Sequence, residues 1–225
     1  MNEILFFVFI FIDLFLALLF LRFFGKRGVM VFYVAHIIMS QITVKMQINL
    51  FGFTTIFGSM LFAVLFLCTD IITEHFGKKE GYRTVTLGVA SLLFFIFVIQ
   101  AATIFVPSET NTVFDSFKNL FSNQWRVVFA DIIISYLILQ KFDVWLFHKI
   151  NEWTKGKHLW LRNNLSTWTS QTLTAIFFFQ AAFFGIIPQA ILWQIILTGL
   201  AMKLLIALLD TPFVYLSYKF LPKKK

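Results

Sequence analysis

The sequence is poor in charge, cysteine and proline, and these absences exclude several classes of protein. Charged residues make up 13% of the 225 residues, and the chain has four prolines and a single cysteine, Cys68. One cysteine cannot form an internal disulfide, and we interpret Cys68 as a small buried apolar residue. A nucleophile elbow, a Walker loop, a GxGxxG motif and a Cys/His cluster are all missing. We therefore predict a protein that is not an enzyme and has no cofactor and no metal site.

Long apolar runs dominate the chain instead. Hydrophobic residues make up 59% of it, and 32 residues are phenylalanine. A helix of about 20 apolar residues crosses about 30 Å of hydrocarbon, whereas outer-membrane strands are short and alternate in polarity. The sequence predicts an all-α integral membrane protein with a single transmembrane domain over residues 1–225. Its seven predicted transmembrane helices cover residues 4–21, 29–50, 54–76, 84–106, 125–147, 168–187 and 190–218.

Two connections between the runs are long, residues 107–124 and 149–166. In the first, Phe114, Phe117 and Phe121 fall at helical spacing with Leu120. This spacing predicts a short helix that lies on the membrane surface. The second connection is polar, and we interpret it as a cytoplasmic loop.

The basic residues follow every second apolar run. A net charge of +8 also fits a nucleic-acid binder, but Lys and Arg gather in the cytoplasmic connections of membrane proteins. We therefore predict no nucleic-acid partner and a multi-pass protein of the cell inner (plasma) membrane, with its N-terminus outside and its C-terminus in the cytoplasm. Glu3 precedes the first run and basic residues follow it, the reverse of a cleavable signal peptide. The four basic groups are Arg22, Lys26 and Arg27; Lys78, Lys79 and Arg83; Lys149, Lys155, Lys157 and Arg162; and Lys219, Lys223, Lys224 and Lys225, whereas the opposite connections hold Lys118, with Arg126 at the border.

Polar side chains interrupt the apolar runs. Charge inside a bilayer is costly, so such residues usually face a cavity, a partner or a solute route. Asp70 and Glu74 are four residues apart and share one helix face. Carboxylates accept hydrogen bonds from N–H groups, and Asn and Gln amides match a ligand edge that carries both donors and acceptors. Tyr136, Trp145 and Trp168 are candidates to stack on a flat ring. A purine-like base suits such a lining, although sugars, amines or protons also fit. The predicted substrate-binding residues are Asp70, Glu74, Asp131, Gln140, Asp143, Asn163, Asn164, Gln171, Lys203 and Asp210.

Each of these residues has a simpler alternative. Lys203 and Asp210 are candidates for charges that only hold helices together, and Glu74 and Asp143 for solvated helix ends. Asp13, in a Phe-rich run, is a candidate to pair with Lys45 or His36. A hydrogen-bonded interior role suits His36 better than a metal-ligand role, because no other ligand accompanies it.

Four stretches together resemble the queuosine-precursor transporter family, also called the vitamin-uptake-transporter-like family. Residues 69–79 read TDIITEHFGKK, and residues 159–171 read LWLRNNLSTWTSQ. Both are similar to motifs of that family. The remaining two stretches are Arg126, Ala130, Ser135, Tyr136, Gln140, Asp143, Val144 and Phe147 in the fifth run, and Lys203, Asp210, Thr211, Pro212 and Tyr215 in the last.

The resemblance implies a small membrane carrier that takes up 7-deazaguanine bases, the precursors of queuosine, a modified base of tRNA. A guanine-type base presents adjacent N–H and NH₂ donors, which one carboxylate accepts in a bidentate, charge-assisted pair. The expected partners are therefore a purine-like small molecule and the lipid bilayer, with proton coupling or facilitated diffusion both open and the oligomeric state undetermined. The first apolar run resembles an addition to a six-helix core.

The chain departs from the family pattern at two positions. Thr174 stands where the family usually has an acid, and Asp131 stands where it usually has serine. We predict that a negative charge has moved between the fifth and sixth helices, which alters the precursor accepted. The alternative is that Asp131 pairs with Arg126. Rival functions are transport of another small solute, a membrane scaffold, and the substrate-capture subunit of a larger ATP-driven importer.

Overall fold

The computed structural model describes residues 1–122 and 124–222, so Lys223, Lys224 and Lys225 of the last basic group lie outside the described residues. The described chain is a helical bundle with one small β-hairpin. Four helices, α1, α2, α3 and α8, are long and apolar enough to cross a membrane. In chain order the elements are α1 (Asn2–Thr43), β1 (Gln47–Leu50), β2 (Phe53–Ile56), α2 (Phe57–Phe76), α3 (Lys78–Ile104), α4 (Phe114–Leu120), α5 (Gln124–Ala130), a π-helical segment (Asp131–Gln140), α6 (Lys141–Trp153), α7 (Leu159–Phe183) and α8 (Gln189–Phe220).

Helix α1 folds back on itself at Gly25. The φ angle of Gly25 is 60°, which favours glycine, and its ψ angle is −146°. Residues 2–24 and 26–43 then run side by side, with the rings of Phe20 and Phe32 5.0 Å apart. His36 binds Asp13 across the pair at 2.9 Å, so the predicted pairing of Asp13 with His36 is confirmed. The first two apolar runs thus form one helical hairpin.

A β-hairpin replaces the predicted helical ends around residue 50. The prediction of helix over residues 29–50 and from residue 54 is wrong here, because α1 ends at Thr43 and α2 begins at Phe57. Phe51 and Gly52 have φ angles of 52° and 80°, and this turn pairs Leu50 with Phe53 in antiparallel register. Glu3 accepts a hydrogen bond from Phe51 N at 3.1 Å, which ties the hairpin to the start of α1. We call this side of the bundle the hairpin end.

The other helix boundaries also differ from the sequence prediction. Helix α7 begins at Leu159 instead of residue 168, and the polar connection shrinks to residues 154–158. Polarity misled the prediction, because Arg162 and Asn163 are buried and have partners inside the bundle. Residues 124–153 form one helical stretch with its π-helical part in the middle. The short helix in the 107–124 connection is confirmed as α4.

The opposite side of the bundle, which we call the basic end, holds the turns after α2 and α6 and the turn at Gly25. Lys26 binds Glu80 at 3.0 Å, which joins the Gly25 turn to the start of α3. Large apolar side chains such as Phe94 and Phe97 are exposed on the outer surface. An apolar exterior suits a bilayer, where backbone groups are satisfied within helices.

Candidate functional site

The buried polar side chains form two groups at different depths in the bundle. One group surrounds Lys203 of α8, and the other surrounds Asp210 of the same helix. Seven residues of helix separate these two, which is about 10 Å along the axis at about 1.5 Å per residue. The first group borders a cleft near the hairpin end, and the second lies closer to the basic end.

We call the first group the Lys203 cleft. Its empty volume is about 340 Å³ with open solvent included, of which water-sized spheres can occupy about 20 Å³. The cleft lies among the second arm of α1, the start of α2, the π-helical segment, α7 and α8. Residues from the hairpin side, Val44 and Ile56, form part of its wall. The residues that line the rest of the cleft are Ser40, Gln41, Gly58, Ser59, Phe62, Asp131, Thr174, Phe178, Phe179 and Lys203.

Asp131 is the carboxylate of the cleft. It accepts hydrogen bonds from the Gln41 amide and from Ser135 Oγ, the latter at 2.7 Å. Gln124 donates to the Gln41 carbonyl at 3.0 Å and to its side-chain oxygen at 3.3 Å, which orients the Gln41 amide group toward Asp131. The alternative pairing of Asp131 with Arg126 is wrong, because Arg126 donates to two main-chain carbonyls at the end of α7.

Lys203 is the cation of the cleft, and it is 2% exposed. Its ammonium nitrogen lies 4.6 Å from the centre of the Phe62 ring and 5.7 Å from that of Phe179, a cation–π arrangement. Across residues 1–122 and 124–222, no carboxylate oxygen lies within 4.0 Å of it. Within these residues Lys203 thus forms no ion pair that would hold helices together, and its side chain lines the cleft.

The aromatic walls of the cleft differ from the sequence prediction. Trp145 and Trp168 are 42% and 37% exposed and do not line the cleft. Tyr136 is buried and packs on the Phe62 ring at 5.8 Å. Sequence analysis missed Phe62 and Phe179, because nothing distinguishes them among so many phenylalanines.

The second group, which we call the carboxylate cluster, contains Asp70, Asp143 and Asp210. They come from α2, α6 and α8 and are all fully buried, so the alternative of a solvated helix end is wrong for Asp143. Each accepts a hydrogen bond from one polar face of α7. The bonds run from Thr167 Oγ1 to Asp70 at 3.5 Å, from Ser170 Oγ to Asp143 at 2.8 Å, and from Asn163 Nδ2 to Asp210 at 2.9 Å.

Many polar atoms of the cluster have no partner within the described part of the chain. Gln140 accepts a hydrogen bond from Tyr33 at 3.0 Å through its oxygen only, and Asn164 donates to Thr211 at 2.7 Å through its nitrogen only. The structure joins Asn163 to Asp210 and Asn164 to its neighbour Thr211, whereas Gln140 and Gln171 form no hydrogen bond to a carboxylate of the cluster in the described residues. Substrate binding by these residues stays a prediction. The atoms without partners are Asp70 Oδ1, Asp143 Oδ2, Asp210 Oδ2, Gln140 Nε2, Asn163 Oδ1, Asn164 Oδ1 and both amide atoms of Gln171.

Glu74 lies apart from the cluster, in an ion pair toward the basic end. Arg162 binds both of its carboxylate oxygens, at 2.5 and 3.1 Å, and Tyr218 donates a further hydrogen bond. Arg162 also donates to the carbonyls of Gly156 and Lys157 at 3.3 Å each. The side chain of Glu74 is 8% exposed, so it is not a solvated helix end. The pair ties α2, α7 and α8 together on the far side of the cluster from the cleft.

Comparison with known proteins identifies the family. Residues 56–217 match the family model described as "Putative vitamin uptake transporter". The chain belongs to this family of membrane transporters. It is also 28% identical over 222 residues to the "Probable queuosine precursor transporter" of Bacillus subtilis (strain 168), covering 98% of this chain and 96% of that protein. No solved structure is a significant match.

The family match covers both polar groups but not all of the cleft. Asp70, Asp131 and Lys203 lie within residues 56–217, whereas Ser40 and Gln41 precede them. The helical hairpin of α1 therefore adds side chains to a cleft whose other walls belong to the matched region.

Proposed function

We propose that this protein imports a queuosine precursor, a 7-deazaguanine-type base such as preQ0, preQ1 or queuine, across the inner membrane. The name of the Bacillus subtilis relative supports the substrate class. In this proposal seven helices cross the bilayer, and the two arms of α1 count as two of them. The hairpin end faces outward and the basic end faces the cytoplasm, as the distribution of Lys and Arg favours.

The observation that carries the proposal is the combination of groups in the Lys203 cleft. Asp131 keeps free lone pairs on both oxygens and suits the adjacent N–H and NH₂ donors of a guanine-type edge. Lys203 suits the neighbouring carbonyl of the base, and Phe62 and Phe179 flank the space that a flat ring requires. The space that water-sized spheres can occupy in the cleft is about 20 Å³, so in this proposal the cleft widens when the base enters.

Specificity among the precursors falls, in this proposal, to Asp131 and Thr174. Both line the same cleft, from the π-helical segment and from α7. A carboxylate at either position therefore faces the ligand from a different wall. This position of the charge selects which substituted base fits, whereas Lys203 and the rings accept the part that all precursors share.

The proposed route continues from the cleft toward the basic end. The base passes the level of the carboxylate cluster and leaves where the Glu74–Arg162 pair closes the bundle. Opening that end requires the pair to separate or move as a unit. Closure at one end and a cleft near the other fit an outward-facing state of an alternating-access carrier.

Uptake by the purified protein in liposomes tests the function. We expect labelled base to enter, and unlabelled 7-deazaguanines to compete where vitamins and amines do not. Asp131→Asn removes a hydrogen-bond acceptor of a charged pair, worth about 1.5–3 kcal/mol, so base binding weakens about 10- to 100-fold. The matched control is Asp115→Asn on α4, where the side chain is exposed.

Two results would contradict the proposal. Absence of uptake by the protein alone, with uptake restored by an ATP-driven partner, would favour a substrate-capture subunit. Equal competition by unrelated solutes would favour another substrate.

A further inference from the structure

Within the described residues, no positive charge lies against the carboxylate cluster, although buried carboxylates require one. Arg162 is committed to Glu74 by two hydrogen bonds, and Lys203 lies in the cleft against aromatic rings. The donors that reach the cluster are two hydroxyl groups and one amide, all neutral. Ionised carboxylates inside a bilayer are costly unless they are paired, so three negative charges here demand a cationic ligand.

The unpartnered oxygens indicate where that ligand sits. Asp70, Asp143 and Asp210 each bind α7 through one oxygen and leave the other without a donor. A protonated carboxyl group is both a donor and an acceptor. Protonation of one of these oxygens therefore removes a charge and turns an acceptor without a partner into a donor.

A second observation points to the same ligand. Gln171 is fully buried, and both of its amide atoms lack partners within the described residues. It lies one helical turn beyond Thr167 and next to Ser170, on the face of α7 that binds the carboxylates. Gln140, one turn before Asp143, has an unpartnered amide nitrogen as well. The two amides supply unpartnered donor and acceptor atoms on the helical turns that carry Ser170 and Asp143.

The titratable groups around the cluster do not replace the missing charge. On α1, His36 is paired with Asp13, and Tyr33 donates to Gln140. On α2, Cys68 is a buried thiol and Glu74 is already paired. On the π-helical segment Asp131 adds a further acid, and on α8 Lys203 lies two turns away at the level of the cleft.

A metal ion is a weaker candidate for this ligand. Among the described residues, no three His, Cys, Asp or Glu side chains are arranged to hold one. A proton needs only two oxygens and no preformed coordination shell.

We propose that the carboxylate cluster is a proton-binding site, separate from the Lys203 cleft, and that its protonation couples uptake of the base to the proton gradient. Proton binding stands on the cluster alone, and the coupling rests on the proposed transport function. Protonation from outside neutralises the cluster as the base moves inward, and release to the cytoplasm resets it.

Infrared spectroscopy of the purified, base-free protein tests proton binding without any transport. A protonated carboxyl group has a C=O stretching band that an ionised carboxylate lacks. We expect this band near neutral pH and expect it to weaken in Asp70→Asn, Asp143→Asn or Asp210→Asn. Asp13→Asn is the matched buried control, because Asp13 binds His36 outside the cluster, and it should keep the band. A spectrum unchanged in all three cluster variants would overturn the proposal.

Gradient-driven uptake in liposomes tests the coupling. A gradient of one pH unit, acid outside, should raise accumulation about tenfold for one proton carried with each base, and a protonophore should abolish the gain. Asp143→Asn should lose this gain, whereas Asp115→Asn, at an exposed position of α4, should keep it. Accumulation that ignores the proton gradient, or that follows a sodium gradient, would overturn the coupling. Absence of exchange in the wild type would instead contradict the proposed function.

Discussion

The Lys203 cleft and the carboxylate cluster are both buried and polar, yet they are built differently. The cleft combines one acid, one base and aromatic walls around empty space. The cluster places three aspartates against one polar face of α7, and one carboxylate oxygen of each has no hydrogen-bond partner in the described residues. Opposite charges that border a cleft suit an organic solute, whereas like charges with no counter-charge among the described residues suit protons. The bundle therefore contains two kinds of polar chemistry at two depths.

The largest expected effect comes from the ion pair that closes the bundle beyond the cluster. Arg162→Met leaves Glu74 buried without its partner, which costs about 3–5 kcal/mol of folding stability. Thermal unfolding in detergent should show a large drop in Tm for this variant and a recovery in the double variant Glu74→Gln/Arg162→Met. A double variant as unstable as the single one would contradict the pairing of Arg162 with Glu74 alone. It would indicate that the positive charge of Arg162 also stabilises the carboxylate cluster.

A smaller effect is expected when one residue of the cleft and one of the cluster, both on α8, are substituted in turn. Lys203→Met keeps most of the side-chain volume but removes the charge, and we expect base affinity to fall by about 1.5–3 kcal/mol, the value of a hydrogen bond to a charged group. Asp210→Asn on the same helix should leave affinity nearly unchanged. Binding of labelled base to the purified variants at equilibrium measures both. Equal losses of base affinity in the two variants would indicate that the Lys203 cleft and the carboxylate cluster form one binding site.

Exchange of charge across the cleft should change selectivity more than affinity. In Asp131→Ser/Thr174→Asp the carboxylate moves from the π-helical segment to α7 while the cleft keeps its net charge. We expect the ranking of competing precursors to change by about tenfold, which corresponds to about 1.4 kcal/mol. Competition uptake with preQ0, preQ1 and queuine measures it. A ranking identical to that of the wild type would show that the position of the carboxylate does not determine which precursor is preferred.

The smallest expected effect concerns the aromatic rings. Phe62→Leu removes one of the two rings beside Lys203 and should weaken base binding by about 1 kcal/mol, the scale of one aromatic or cation–π contact. Trp168→Leu is the matched control, since Trp168 lies outside the cleft. If the tryptophan variant weakens binding more than the phenylalanine variant, the aromatic walls are wrongly assigned.

The sequence predicts the helical membrane architecture and most of the polar groups well, since charges in apolar runs are rare and conspicuous. The helix boundaries predicted from the sequence are wrong where polar residues are buried inside the bundle. Arg162 and Asn163 were assigned to a loop, although the first pairs with Glu74 and the second with Asp210. The β-hairpin was missed because Gln47–Leu50 and Phe53–Ile56 continue apolar runs, and only Gly52 signals the turn.

The depth of each polar side chain in the bundle and its hydrogen-bond partner could not be predicted from the sequence. Asp70 and Asp131 both read as acids in apolar runs, but one lies in the cluster and the other in the cleft. Pairing across distant helices, such as Gln41 with Asp131, depends on how α1 packs against the π-helical segment. The rings beside Lys203 carry no local signal at all.

Equilibrium binding compared with gradient-driven uptake, for Asp131→Asn and Asp143→Asn side by side, tests the separation of the two polar groups most directly. The account predicts that Asp131→Asn loses base binding, while Asp143→Asn binds and exchanges the base but no longer accumulates it against a gradient. Loss of binding in Asp143→Asn with normal binding in Asp131→Asn would contradict it, because the cluster would then be the solute site.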